Sequence, residues 1–201
     1  MIKNKIWTPQ PKQRLMLSRG EDEGFYGGAA GGGKSDYLVI EAVRQVNVGN
    51  YRGLILRKTV PELEQLIERA RYYYTKLCED VKFNDTKHTF TFPSGAKVQF
   101  GSLFRTQDKF KYQGLQYDFI GFDELTQFTF DEYSYLKSRN RASGPGTRVY
   151  VRATGNPGGV GHGWVKKEFV TAGKPFTTIW KKLVVKQPDG TLKSYWQSKV
   201  F

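Results

Sequence analysis

The run Gly27-Gly28-Ala29-Ala30-Gly31-Gly32-Gly33-Lys34-Ser35 satisfies, from Gly28, the pattern GxxxxGK[ST] that cradles the phosphates of a nucleoside triphosphate. Closely spaced anionic oxygens require backbone N–H groups turned inward, and side chains at most positions would obstruct that turn. Gly28, Ala29, Ala30, Gly31, Gly32 and Gly33 leave the loop clear. Lys34 is placed to reach the β- and γ-phosphates, and Ser35 to offer its hydroxyl to Mg²⁺. A helix opening at this point sets its positive end against the anion.

About ninety residues later Asp123-Glu124 follows the apolar run Phe119-Ile120-Gly121-Phe122. Hydrolysis of a triphosphate needs a metal that offsets developing charge and a carboxylate that orients and deprotonates water. Asp123 suits the metal and Glu124 suits the water. Alone, the pair could equally cap a following helix; joined to the glycine loop it reads as a second nucleotide-site signature. Thr154 and Asn156 stand on a Thr-Gly-Asn-Pro turn, where they could sense the γ-phosphate or form nothing more than the turn. Trp7, Gln10 and Gln13 offer an aromatic ring and two amides that could stack on and hydrogen-bond to adenine, although Trp7 could simply pack in a core.

The elements that must position these groups alternate. Glu23 to Tyr26 reads as a short strand, Asp36 to Val48 as a helix, Arg52 to Arg57 as a buried strand and Pro61 to Leu77 as a second helix. Residues 81–104 alternate polar and apolar about Asn84-Asp85 and Pro93-Ser94-Gly95, which predicts two or three antiparallel strands inserted at a sheet edge. Tyr117 to Phe122 is a central strand, Asp131 to Arg141 a helix, and Arg148 to Ala153 the next strand. This pattern predicts an α/β P-loop NTPase fold: a mainly parallel central sheet, flanking helices, an antiparallel β insert, and the motifs at the carboxyl ends of the strands.

The 201 residues suffice for one sizeable domain. A single cysteine, Cys78, excludes an intrachain disulfide and suits a reducing compartment. No stretch approaches the roughly 18 apolar residues of a membrane span, and the N-terminus lacks a signal-peptide core, so a soluble intracellular protein without membrane contact is expected. The net charge of +13 points to a polyanionic partner. Eight lysines face only Glu168 and Asp189 between Lys166 and Phe201, and further groups are Arg52, Arg57 and Lys58; Lys109 and Lys111; and Lys137, Arg139 and Arg141. A solvated cationic surface kept for solubility is the alternative.

In order and spacing, the segment ending at Gln13, the glycine loop through Lys34 and Ser35, the Phe-Asp-Glu of Asp123 and Glu124 and the turn from Thr154 to Pro157 resemble the ATPase domain of the large terminase subunit of tailed bacteriophages. The resemblance covers about residues 7 to 160. It implies ATP and Mg²⁺ as cofactors, and ATP hydrolysis that drives double-stranded DNA into a procapsid. It also implies a homo-oligomeric ring, commonly a pentamer, docked on the capsid portal protein and supplied by a small terminase subunit in the host cytoplasm. The turn from Thr154 then corresponds to a motif linking hydrolysis to movement. A complete member carries a nuclease domain, for which the 201 residues leave no room, so the chain reads as a fragment without nuclease activity. Where the family often shows Arg-Gly before the acidic pair, this chain has Gln113-Gly114. A trans-acting catalytic arginine is therefore sought among Arg105, Arg139 and Arg141, for each of which DNA contact or a surface ion pair is the alternative. The competing reading is a nucleic-acid helicase or another ring-forming P-loop ATPase.

Overall fold

The central strands are apolar on both faces, which requires covering layers on both sides. In the computed structural model, which describes residues 6–29, 31–187 and 189–201, that is the arrangement found. Strands β1 (Glu23–Gly27), β2 (Arg52–Arg57), β5 (Lys97–Ser102), β6 (Phe119–Phe122), β7 (Tyr150–Gly155) and β9 (Leu192–Val200) pair in parallel. The antiparallel insert lies at one edge as expected: β3 (Lys82–Asn84) pairs with β4 (Thr89–Thr91), and β4 with β5. The opposite edge carries β8 (Ile179–Lys186), antiparallel to β9. Together they form one nine-stranded sheet in the order β3-β4-β5-β2-β6-β7-β1-β9-β8.

Helices α1 (Pro11–Leu17), α2 (Lys34–Glu41) and α3 (Val60–Leu77) cover one face, where Met16, Leu38, Leu66 and Tyr74 pack against Ile55, Phe100 and Phe119. Helices α4 (Phe130–Lys137) and α5 (His162–Val165) cover the other, where Tyr133, Leu136 and Val165 meet Leu54, Ile120, Phe122 and Val151.

Several elements depart from the sequence reading. The regular helix after the glycine loop ends at Glu41 instead of Val48, because the chain tightens into i to i+3 bonds such as Arg44 N–H to the Glu41 carbonyl. The Ala42 carbonyl there accepts from the buried Tyr51 hydroxyl at 2.7 Å. Helix α4 stops at Lys137 instead of Arg141, because Asn140 is drawn back to the sheet, its amide donating to the Tyr117 carbonyl at 3.0 Å and that of Asp118 at 3.2 Å. Helix α1 and the hairpin strand β8 are additions that the sequence pattern does not announce.

Candidate nucleotide site

The strand order places the ends of β2, β6, β7 and β1 side by side, and the motifs leave from these ends. Gly28 (φ 142°), Gly31 (φ 81°) and Gly33 (φ 65°) occupy backbone conformations that side chains disfavour, so the loop can turn sharply and hand over to α2 at Lys34. Lys34 is buried, and its ammonium donates to the carbonyls of Ala29 (2.7 Å) and Gly28 (3.2 Å). The Tyr26 hydroxyl steadies the loop through the Gly32 carbonyl at 3.1 Å. Ala30 lies outside the described residues.

Asp123 is 3 % exposed and is the hub of the site. Its carboxylate accepts from the Thr154 hydroxyl (2.5 Å) and from Arg57 Nη1 (2.6 Å), and the Ser35 hydroxyl stands 3.4 Å from both of its oxygens. Two oxygen donors facing one another, one a hydroxyl and one a carboxylate, fit a hard cation such as Mg²⁺, which is commonly held by one or two protein oxygens together with substrate phosphates. Among the described residues no group of three or more His, Cys, Asp or Glu side chains could hold a metal.

Glu124 has a left-handed backbone (φ 56°), rare for a residue with a side chain, and of the kind that concentrates at functional sites. Asn156 grips its carboxylate with both the backbone N–H (2.8 Å) and the side-chain amide (2.7 Å). The Asn156 Oδ1 is buried without a partner. A cavity of about 310 Å³ is lined by Gly31 to Asp36, Arg69, Glu124 and Asn156, so the loop and Glu124 face one space.

The remaining sequence candidates scatter. Gln13 is buried against the loop, its amide donating to the Gly33 carbonyl at 2.7 Å and its oxygen accepting from the Gln10 backbone N–H at 2.7 Å. Trp7 is half-buried and Gln10 exposed just before α1. Arg105 is exposed beyond the end of β5, on the side of the sheet from which the motifs leave. Arg139 and Arg141 bracket Tyr117 through backbone bonds, at the opposite end of β6, about 20 Å of extended chain from Asp123.

Sequence reasoning misses Arg57, which it groups with polyanion-facing cations. Others in those groups are also internally paired: Lys58 with Glu132 (2.7 Å), Lys109 with Asp131, Lys137 with Glu23, and Lys181 and Lys199 with Glu168. A spacing rule could not show this, since Arg57 and Asp123 are 66 residues apart. A basic concavity lies elsewhere, a cleft of about 700 Å³ on the outer part of the sheet. Arg52, Lys87, His88, Lys97 and Lys111 line it and, among the described residues, no carboxylate does, although Lys111 also pairs with Asp108 at 2.8 Å.

The fold is shared with solved packaging ATPases. The large terminase ATPase domain of Thermus phage P74-26 superposes with a TM-score of 0.66 at 16% identity, over 84% of this chain and 72% of that one. The large terminase of a thermophilic bacteriophage in complex with ATP-gamma-S gives 0.56 at 22% identity, over 82% of this chain and 42% of that one. The N-terminal domain of the DNA packaging ATPase of bacteriophage phi29 gives 0.51 at 20% identity, over 75% and 78%. No curated protein sequence matches. The family model for the N-terminal part of the T4likevirus-type terminase large subunit matches residues 25–194, most of the chain, and to that family the chain belongs.

Proposed function

We propose that the chain binds Mg²⁺ and ATP and hydrolyses ATP to move double-stranded DNA into a procapsid. The observation that carries this reading is the convergence of Lys34, Ser35 and Glu124 on one cavity at the carboxyl ends of β1 and β6, with the Asp123 carboxylate 3.4 Å from the Ser35 hydroxyl. The family match favours a packaging motor over a helicase.

In this reading the loop N–H groups and Lys34 bind the phosphates, Lys34 exchanging its carbonyl partners for anionic oxygens. Ser35 and Asp123 hold Mg²⁺, which when bound offsets charge on the phosphates. Glu124 accepts the proton of the attacking water, and Asn156 fixes the direction in which its oxygens point. Thr154, bonded to Asp123 and lying 3.4 Å from the Glu124 backbone N–H, ties the coupling turn to both acidic residues. Trp7 and Gln10 are the adenine contacts, with Gln13 bracing the loop behind them.

Duplex DNA lies along the basic cleft, where Lys87 and Lys97 attract phosphates of any sequence. The portal protein, the small subunit and a pentameric ring complete the motor in the host cytoplasm, and nuclease activity resides outside this chain. Arg105 is the favoured trans-acting residue of the three arginines, because it stands at the nucleotide end of the sheet. The test is phosphate release from ATP with and without Mg²⁺ and DNA. Mg²⁺-dependent turnover lost in Glu124→Gln supports the reading, and turnover undiminished in that variant refutes it.

A further inference from the structure

Arg57 ends β2 between two carboxylates. One arm of its guanidinium donates to Asp123 Oδ2 at 2.6 Å and the other to Glu62 Oε1 at 3.1 Å, while Nε is buried without a partner. Glu62 belongs to the first turn of α3 and is itself fixed by the Thr59 hydroxyl at 2.6 Å. Asp123, the other partner, is the candidate metal ligand, with the Ser35 hydroxyl poised at 3.4 Å. A guanidinium and a dication on one carboxylate oxygen repel each other, so at Asp123 Oδ2 they are alternatives. Arg57 has somewhere to go: it lines a cleft of about 250 Å³ together with Glu124, Gln127 and Asn156.

We propose that Arg57 is a metal-displaceable counter-ion. It neutralises the buried Asp123 while no nucleotide is present, and yields that oxygen to the divalent cation that arrives with a nucleoside triphosphate. Its guanidinium then turns into the cleft beside Glu124, where it faces the terminal phosphate in cis, and keeps its hold on Glu62. Loading of the metal is thereby felt at the start of α3. A static ion pair would only stiffen Asp123, whereas a competitor weakens metal binding, and the two roles therefore predict opposite signs. The proposal rests on the nucleotide-site reading above.

The experiment measures Mn²⁺ affinity by electron paramagnetic resonance in the presence of saturating ADP, on the intact chain, with far-UV circular dichroism as a check of folding. Removal of the competitor in Arg57→Gln is expected to tighten Mn²⁺ binding about fivefold or more, the lower end of typical coupling between linked ligands. Arg57→Lys retains a cation and is expected to stay nearer the wild type, which keeps the comparison available if the glutamine variant folds poorly. In the same variants, affinity for ATP-gamma-S relative to ADP is expected to fall in Arg57→Gln, because the cleft loses its phosphate-facing cation. Mn²⁺ binding that is unchanged or weaker in Arg57→Gln, with ADP binding intact, overturns the proposal. Wild-type protein that binds no Mn²⁺ with ADP overturns the nucleotide reading itself, a separate outcome.

Discussion

A single residue holds the Glu124 carboxylate from two directions: Asn156 donates its backbone N–H to Oε2 at 2.8 Å and its side-chain amide to Oε1 at 2.7 Å. The positioning of the candidate base is thus a property of the turn after β7. Glu124→Gln should bind ATP as the wild type does and lose about 10²- to 10⁴-fold in turnover, since the amide keeps the shape and cannot take the proton. Asn156→Ala should lose about 10- to 100-fold, as is usual when the partner that orients a reactive group is removed. Steady-state hydrolysis together with nucleotide titration separates the two parameters.

Lys34 is buried and held by loop carbonyls, so its removal should leave the fold standing and the anion without a cation. Lys34→Ala is expected to abolish detectable ATP binding in calorimetry while its melting temperature without nucleotide stays close to that of the wild type.

For DNA, affinity should fall steeply with salt and hardly vary with sequence, because phosphate contacts carry no base information. Replacing both Lys87 and Lys97 by alanine should reduce the slope of log K against log salt by about 2, one for each phosphate no longer neutralised. Anisotropy titrations on duplexes of differing sequence provide the measurement. An unchanged slope in the double variant would remove the cleft from the DNA path.

Acid should loosen the attachment of the β8–β9 hairpin. Burial raises the Glu168 carboxyl, but hydrogen bonds and charge from Lys199 and Lys181 outweigh it and hold the group at about 2, against 4.5 ordinarily. A carboxyl depressed in the folded state stabilises above its unfolded value and stops doing so as pH falls through the folded one. The stabilisation should therefore be complete above pH 4.5 and decline toward pH 2. Melting curves of wild type and Glu168→Gln should be well separated at neutral pH and converge below pH 4.5.

The glycine loop is legible in the sequence because residue type is constrained at its fixed positions: φ of 65° at Gly33 favours glycine, and a lysine follows. The central strands are legible because they are apolar on both faces. Arg152 shows where such reading stops. It lies in β7 and is fully buried, its guanidinium donating to the carbonyls of Glu21 (2.9 Å) and Arg19 (3.0 Å), so that an ion at the middle of a strand closes the loop before β1. Only the folded topology supplies those carbonyls. Helix α1 is hidden for a different reason: seven residues give too few turns for a period to register, and its anchor is the contact between Gln13 and Gly33, 20 residues away. The roles of Arg57, Lys58 and Lys109 are hidden because charge alone does not tell a solvated cation from a paired one.

Among the described residues the β8–β9 hairpin pairs with β1 at two positions, Glu23 with Lys199 and Gly24 with Val200, while its own strands pair over eight. Glu23 is buried at that root and also holds Tyr133 and Lys137. Mechanically this is a lever with a narrow fulcrum. Force applied at the hairpin's free end reaches the rest of the molecule through Glu168 and through the first residues of β1, and the far end of that strand is the glycine loop.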